Sequence, residues 1–594
     1  MLEKKLLTCD LCVVGGGIAG MSAAVAAARE GSKVVLMHER PVLGGNASSE
    51  IRMCISTAQG ENNRETGLVE EIFLENLYRN PTKSFAIWDT VLYDMIRREE
   101  NITLLLNCTC MDAETEEGDF PYGRTRKIRS VTGYQMTTQR FFEVRAEYFC
   151  DSSGDSILAP LTGAEFRLGR EAKSEFGEDT VVEAADTMTM GMSCLIQGRE
   201  THEPVKFIPP AWSTPLTHED FQHRSADPYQ PTQNYWYLEL GGDRDTIGDT
   251  EEIRDELLGL AAGTWNYIKN SGAFATDNWD LDFLGFLPGK RESRRMCGEY
   301  MITQRDICDG RVFEDEIAFG GWPVDDHFPG GFYHKGVPNT DLKTESPYSL
   351  PYRALYSRNV DNLYFAGRNI SMTHMAMSSI RIMGTCSLLG AAAGKAAAIA
   401  AKEGICPHDV YRKHIRQLQE LLMNSDHFLP SRLRPVSEGC KAAWLSAGTE
   451  VLRNGQDRPN KIYGTDDSTA SYAAVPGEEI TYRFPEQKIS AVHIVFDSDL
   501  NRDTLPGHWV ERRRSTRFNL RLDSPQMHMP CTLCRSFTLY GVRDGQRTEL
   551  LKVEDNRRRA WHISVDQVFD SLTLIPETVW GEGNRIPVIS FDFT

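Results

Sequence analysis

An α/β domain with a mainly parallel sheet, interrupted by an α+β insertion and followed by an antiparallel β-sandwich, is predicted from three features of this chain. Apolar residues 11–14 read as a buried parallel strand, the run GGGIAG at 15–20 as a tight turn, and the alanine-rich residues 21–29 as a helix. The same strand–turn–helix pattern returns far downstream, at residues 362–366, 367–371 and 379–402. Beyond the breakers Pro430 and Pro435, helical spacing gives way to short alternating segments at 479–484, 491–496, 536–542 and 571–576.

Each glycine of the first turn has a physical task. Gly15 makes the tight turn, Gly17 lets backbone approach a pyrophosphate, and Gly20 lets the helix pack on the strand. The helix N-terminus offers free N–H groups and a positive dipole end to phosphate. Residues 33–38 supply a second strand of the expected spacing, so the unit is a Rossmann-type βαβ that binds a dinucleotide. Its downstream echo makes that dinucleotide FAD rather than NAD. A flavoprotein's long cofactor lies across one domain built from both chain ends, and the middle of the chain is then an insertion.

The intervening segments follow helical spacing at 65–79 and 84–99, strand spacing at 102–106, and β-rich runs at 127–136 and 141–150. At 594 residues the chain exceeds one core. The expected division is 1–164 and 351–424 for the cofactor domain, 165–350 for an inserted substrate domain, and 436–594 for the sandwich.

A formal net charge of −19 argues against nucleic-acid binding. The basic runs 512–514 and 557–559 read as solvated or ion-paired strand edges. Residues 1–9 lead straight into the first strand without a cleavable apolar leader, and no apolar run is read as membrane-spanning; 386–401 reads as a packed helix. Fourteen scattered cysteines suit a reducing cytoplasm. Cys9 and Cys12 straddle a core strand, and His528, Cys531 and Cys534 lack a second ligand pair, so no metal site is expected.

Taken in order, GGGIAG at 15–20, RPVLGGNASS at 40–49, DSSGD at 151–155, RESRR at 291–295, GWPVDDH at 321–327 and NLYFAGRN at 362–369 resemble the FAD-dependent oxidoreductases of the glutathione-reductase type. More narrowly they resemble a bacterial branch distantly related to fumarate reductase and succinate dehydrogenase flavoproteins, over roughly residues 8–405. The tail resembles galactose-binding, discoidin-like sandwiches through KIYGTDD at 461–467 and IPETVWG at 575–581.

The resemblance implies that Gly15, Gly17 and Gly20 hold the pyrophosphate, while Gly44, Gly45, Asn46 and Ser49 line the riboflavin side, flanked by Arg40 and Arg52. Asp151 and Gly154 would bring the chain back to the cofactor after the central strand. Gly367-Arg368-Asn369 replaces a common Gly-Asp, so Arg368 or Asn369 takes the ribityl or pyrophosphate contact, Arg368 through its planar fork. The acid that usually contacts the adenosine ribose falls by spacing on His38, with Glu39 next. Side chains alternate along a strand, so either a bulge restores Glu39, the favoured residue, or His38 makes the contact.

For chemistry, His374 lies between the second glycine turn and the long helix, as a proton carrier or as a hydrogen bond within the turn. His327 follows Trp322, Asp325 and Asp326, a carboxylate-oriented base or an ordinary solvated loop. Arg291, Arg294 and Arg295 around Glu292 form either a substrate clamp or an ion-pair network. Arg381 would open the last helix and face the flavin carbonyl or substrate; Trp322 and Tyr352 would floor a sugar pocket or fill the core.

The leading expectation is therefore FAD-dependent dehydrogenation of a hydroxyl on a sugar, glycoside or polyol. The alternatives are a fumarate-reductase-like reduction of an activated double bond and a non-catalytic carbohydrate-binding flavin fold. The partners expected are a small carbohydrate-like substrate and an unidentified electron acceptor, with neither nucleic acid nor membrane. A homo-oligomer is compatible with this reading.

Overall fold

The computed structural model describes residues 2–179, 181–230, 233–466, 468–502, 516 and 518–594. The basic run 512–514 lies outside the described residues.

The first strand β1 (Lys4–Val14) leads into helix α1 (Ile18–Arg29) and strand β2 (Val34–Met37). Two helices, α2 (Leu68–Arg79) and α3 (Phe85–Arg97), precede β3 (Ile102–Leu105). An antiparallel run, β4 (Cys108–Phe120), β5 (Arg124–Gln135) and β6 (Arg140–Asp151), follows, and β7 (Leu363–Phe365) returns much later. They form one seven-stranded sheet ordered β3-β2-β1-β6-β5-β4, with β7 on β6. The expected parallel sheet is therefore mixed, because β4 and β5 join it as tight antiparallel neighbours.

Register is what makes the site. Val14 stands opposite both Met37 and Asp151, and Phe365 is also opposite Asp151. Four parallel strands thus end at one level, and the loops leaving them crowd together there. Ligands of open α/β sheets bind outside such carboxyl ends.

The downstream helix is two helices: α5 (His374–Ile380) and α6 (Met383–Glu403), with α4 (Thr250–Asn270) lying earlier in the chain. Ile382 takes an extended conformation (φ −65°, ψ 143°), so Arg381 caps the short helix instead of opening the long one. The small residues of α6 let it cross α1 at backbone contact. A Cβ on Gly390 would lie 2.1 Å from Ala19 O, and one on Gly394 2.2 Å from Ala23 O. By length and composition α6 could cross a membrane, which corrects the expectation that no run reaches that limit. It is nonetheless buried inside the protein.

The middle of the chain has its own core around Trp265 and Trp279, packed between α4 and short strands. Within it Phe166 and Arg167 pair with Met296 and Arg295, and it meets the cofactor domain where the Met296 N–H is donated to Asn369 O at 2.9 Å. The tail is antiparallel, as expected. Its strands form one seven-stranded sheet, six on a continuous path centred on the long strands Ile480–Phe496 and Ala560–Val579, with the short strand Trp444–Leu445 beside the first of these. Register shifts between Arg483 and Gln487 and between Ile489 and Ala491 mark bulges, which bend a strand.

The tail is docked on the cofactor domain by buried charge. Arg458, 2% exposed, donates to Asn62 O, Arg64 O and Thr66 Oγ1. Arg502 pairs with Glu70 at 2.7 Å. The basic run 557–559 is ion-paired: Arg557 meets Glu75 at 3.1 Å, Arg558 approaches Glu71 at 3.8 Å, and buried Arg559 pairs with Asp426.

Candidate active site

A cavity of about 620 Å³ opens at the common end of the parallel strands and extends into the inserted segment. At its sheet end the glycine turn follows the expected geometry. Gly15 has φ +108°, and a Cβ there would fall 2.3 Å from Ser152 O. A Cβ on Gly20 would sit 1.8 Å from Gly15 O, so this residue serves packing and does not line the cavity. Gly17 is different: its Cβ would meet only Gly45 Cα, 3.9 Å away. Gly17 therefore leaves room toward the cavity for something other than protein.

Gly44 and Gly45, both left-handed, stack on this turn through the Gly44 N–H donated to Gly16 O at 2.9 Å. The Asn46 side chain donates to Lys290 O at 3.0 Å, tying the turn to the insertion. Arg40 lines the cavity with its Nε and Nη1 lacking hydrogen-bond partners.

His38 and Glu39 divide the work that spacing left open. The His38 ring accepts the Gly16 N–H at Nδ1 (3.0 Å) and contacts Val42 O through Nε2 (3.0 Å). Both nitrogens are engaged in holding the turn. The Glu39 carboxylate lines the cavity; burial pushes it up, and the Arg40 guanidinium 3.5 Å away helps hold it below its ordinary range.

Several expected contacts lie elsewhere. Asp151 is fully buried and braces its own loop, accepting from Ser153 N and Oγ and from Leu158 N. Asn369 donates back to Asp151 and does not reach the cavity. The Ser49 N–H is donated to Asp89. Arg52 is sandwiched between the Phe85 and Phe283 rings and pairs with Asp282. Arg368 does line the cavity, but its guanidinium pairs with Asp155 at 3.0 Å. Burial would raise the Asp155 carboxyl, yet Arg368 and Lys290 hold it below its ordinary range.

At the far end, His327 lines the cavity beside Trp236, with ring centres 5.0 Å apart. Its Nδ1 is 2.6 Å from Glu239 Oε2, and its Nε2 is 3.4 Å from Asp325 Oδ2. Arg381 donates to Asp325 at 3.1 Å, and Asn339 donates to the other Asp325 oxygen at 2.6 Å. Arg291 donates to Ser193 Oγ and Trp236 O and lies 3.3 Å from Glu239. Burial pushes both carboxyls up. The cations Arg291 at Glu239 and Arg381 at Asp325 work against it and help hold both carboxyls below their ordinary range.

His374 is not a cavity residue. Its Nδ1 bonds Glu292 Oε2 at 2.8 Å and its Nε2 bonds Asp326 Oδ1 at 2.9 Å. Against burial, those two carboxylates raise it to about 10. Held at both nitrogens, His374 is an imidazolium with no proton site to offer, and Asp326 is committed to it. Arg295 belongs to the same buried network through Glu171 and Glu292, while Arg294 donates to Asp155 O. Tyr352 is core, its hydroxyl on Pro407 O; Trp322 lines the cavity.

Glu239 and Trp236 escaped the sequence reading. They sit in an irregular stretch without period or motif, 88 residues before the histidine that Glu239 contacts. A glutamate two residues after the run Tyr235-Trp236-Tyr237 was the signal there.

A family model described as "FAD dependent oxidoreductase" matches residues 10–422. This chain belongs to that family. The oxidoreductase is also 55% identical over 40 residues to "Fumarate reductase (cytochrome)" of Shewanella frigidimarina, a stretch that is 7% of this chain and 7% of that relative. Among solved structures, the E. coli quinol fumarate reductase FrdA aligns over 71% of this chain and 79% of its own at 12% identity and a TM-score of 0.26. A family 32 carbohydrate-binding module of Streptococcus pneumoniae EndoD aligns over 27% of this chain and 89% of its own, at 13% identity and a TM-score of 0.17. Likenesses at these scores establish nothing about substrate.

The residues present fit FAD. The space left at Gly17 and the N-terminus of α1 together suit a pyrophosphate, cavity-lining Glu39 suits ribose hydroxyls, and cavity-lining Arg40, whose only ionic partners Glu39 and Glu50 among the described residues stand 3.5 Å off, adds a cation beside them.

Proposed function

We propose that this oxidoreductase dehydrogenates a hydroxyl group of a sugar, glycoside or polyol, with His327 as the proton acceptor. The observation that carries this reading is that His327 lines the cavity while buried Glu239 holds its Nδ1 from behind at 2.6 Å. Glu239 accepts a hydrogen bond from Nδ1–H, and Nε2, whose nearest carboxylate is Asp325 at the longer distance of 3.4 Å, is then the atom that receives the hydroxyl proton. When bound, FAD supplies the hydride acceptor. The chain supplies the rest. Arg381, anchored by Asp325, keeps a cation at the cavity wall to balance developing negative charge. Trp236 and Trp322 offer apolar faces, and Asn339 and Asp341 polar ones, a mixture that suits a ring carrying both C–H and O–H groups.

Anaerobic titration of the flavin-loaded protein with a panel of sugars, glycosides and polyols tests this. Bleaching of the flavin by a member of the panel is expected. If every hydroxylated compound fails and reduced protein is instead reoxidised by enoates, the double-bond reductase reading replaces it.

A further inference from the structure

Among the described residues, one that lines the cavity comes from neither half of the cofactor domain nor the insertion. Phe518, 6% exposed, belongs to the C-terminal region and lines the cavity that holds His327. Its position is secured by the residues after it. Asn519, 5% exposed, accepts the Gly198 N–H at 2.9 Å through Oδ1 and donates through Nδ2 to Pro228 O at 2.9 Å and Tyr235 Oη at 3.3 Å. Leu520 then exchanges backbone bonds with the insertion's strand, donating to Gly198 O at 2.8 Å and accepting from Glu200 N at 2.7 Å.

Asn519 thus grips Tyr235, a buried non-glycine residue with φ +54°, whose two neighbours Asn234 and Trp236 both line the cavity. A left-handed tyrosine persists only where its surroundings hold it. The tail residues therefore form one wall directly and fix a second. That wall is at the His327 end, because Trp236 is the residue packed on the His327 ring.

We propose that the C-terminal region completes the substrate end of the cavity, with Phe518 as the specificity-determining residue that limits how far a substrate extends beyond the hydroxyl presented to His327. The selection among substrates rests on the dehydrogenase reading above; the wall itself does not. Single-ring substrates fit against Phe518, and a second ring meets it.

The test uses the full-length, flavin-loaded protein with F518A, and F518L as a milder change should F518A fold poorly. Both variants are expected to retain FAD at wild-type stoichiometry. In F518A the ratio of kcat/KM for a two-ring glycoside over its single-ring parent should rise about tenfold, with F518L between. A ratio unchanged in both variants overturns the proposal. If no hydroxylated compound bleaches the wild-type flavin, iodide quenching of flavin fluorescence decides instead. Increased quenching in F518A keeps Phe518 as a cavity wall while the dehydrogenase reading fails, and unchanged quenching overturns the wall as well.

Discussion

His327 Nδ1 lies 2.6 Å from Glu239 Oε2, with both side chains about 4% exposed. A buried carboxylate this close orients the ring, and the 3.4 Å approach of Nε2 to Asp325 is the looser of its two contacts. H327N should therefore lower kcat/KM by about 10²- to 10⁴-fold while retaining FAD. E239Q should lower kcat/KM in the same direction with FAD retained. Stopped-flow flavin reduction measures both, and wild-type reduction rates in H327N would falsify the assignment.

His374 predicts a pH-dependent stability. Its folded-state value is raised from 6.5 to about 10 by Glu292 and Asp326 acting against burial. The contribution is thus fully present below about pH 6.5 and is lost as pH rises through about 10. H374Q should unfold at a lower temperature than wild type at pH 6, and the gap should narrow toward pH 10. Thermal unfolding followed across that range checks it; a gap that widens with pH contradicts the bridged imidazolium.

The glycines of the first turn separate folding from cofactor binding. At Gly20 an added Cβ collides with Gly15 O, so G20A should cost about 1–3 kcal/mol or more of stability. At Gly17 the only protein neighbour is 3.9 Å away. G17A should keep the wild-type melting temperature as apoprotein yet purify with little flavin. Equal flavin content in G17A and wild type would remove the pyrophosphate from this turn.

Arg40 carries guanidinium N–H groups that no protein acceptor satisfies, although Glu39 and Glu50 approach to 3.5 Å. A charge-assisted bond to phosphate is the natural complement. R40A should weaken FAD about 10- to 100-fold, and the loss should shrink at high salt. Fluorescence titration of apoprotein with FAD measures it.

Legibility tracked locality. Helices expected at 65–79 and 84–99 appear as Leu68–Arg79 and Phe85–Arg97, because their apolar spacing is complete within each segment. The long downstream helix instead breaks at Ile382, where tertiary contacts override small-residue propensity. Likewise Asp151 and Asn369, each expected at the cofactor, lie off the cavity, with Asn369 Nδ2 donating to Asp151.

By itself the sequence determined the βαβ unit, the FAD assignment and the antiparallel tail, because a glycine turn, a strand and a helix each write their constraint into neighbouring residues. The tertiary structure alone decided which histidine lines the cavity. His327 and His374 each stand between two carboxylates, yet His327 lines the cavity and meets Asp325 only at 3.4 Å, while His374 lies off the cavity with both carboxylates within 2.9 Å. It also decided that Phe518 belongs to the cavity. Those outcomes depend on partners 88 residues away from His327, 82 and 48 from His374, and 321 from Asn519. No local pattern records them.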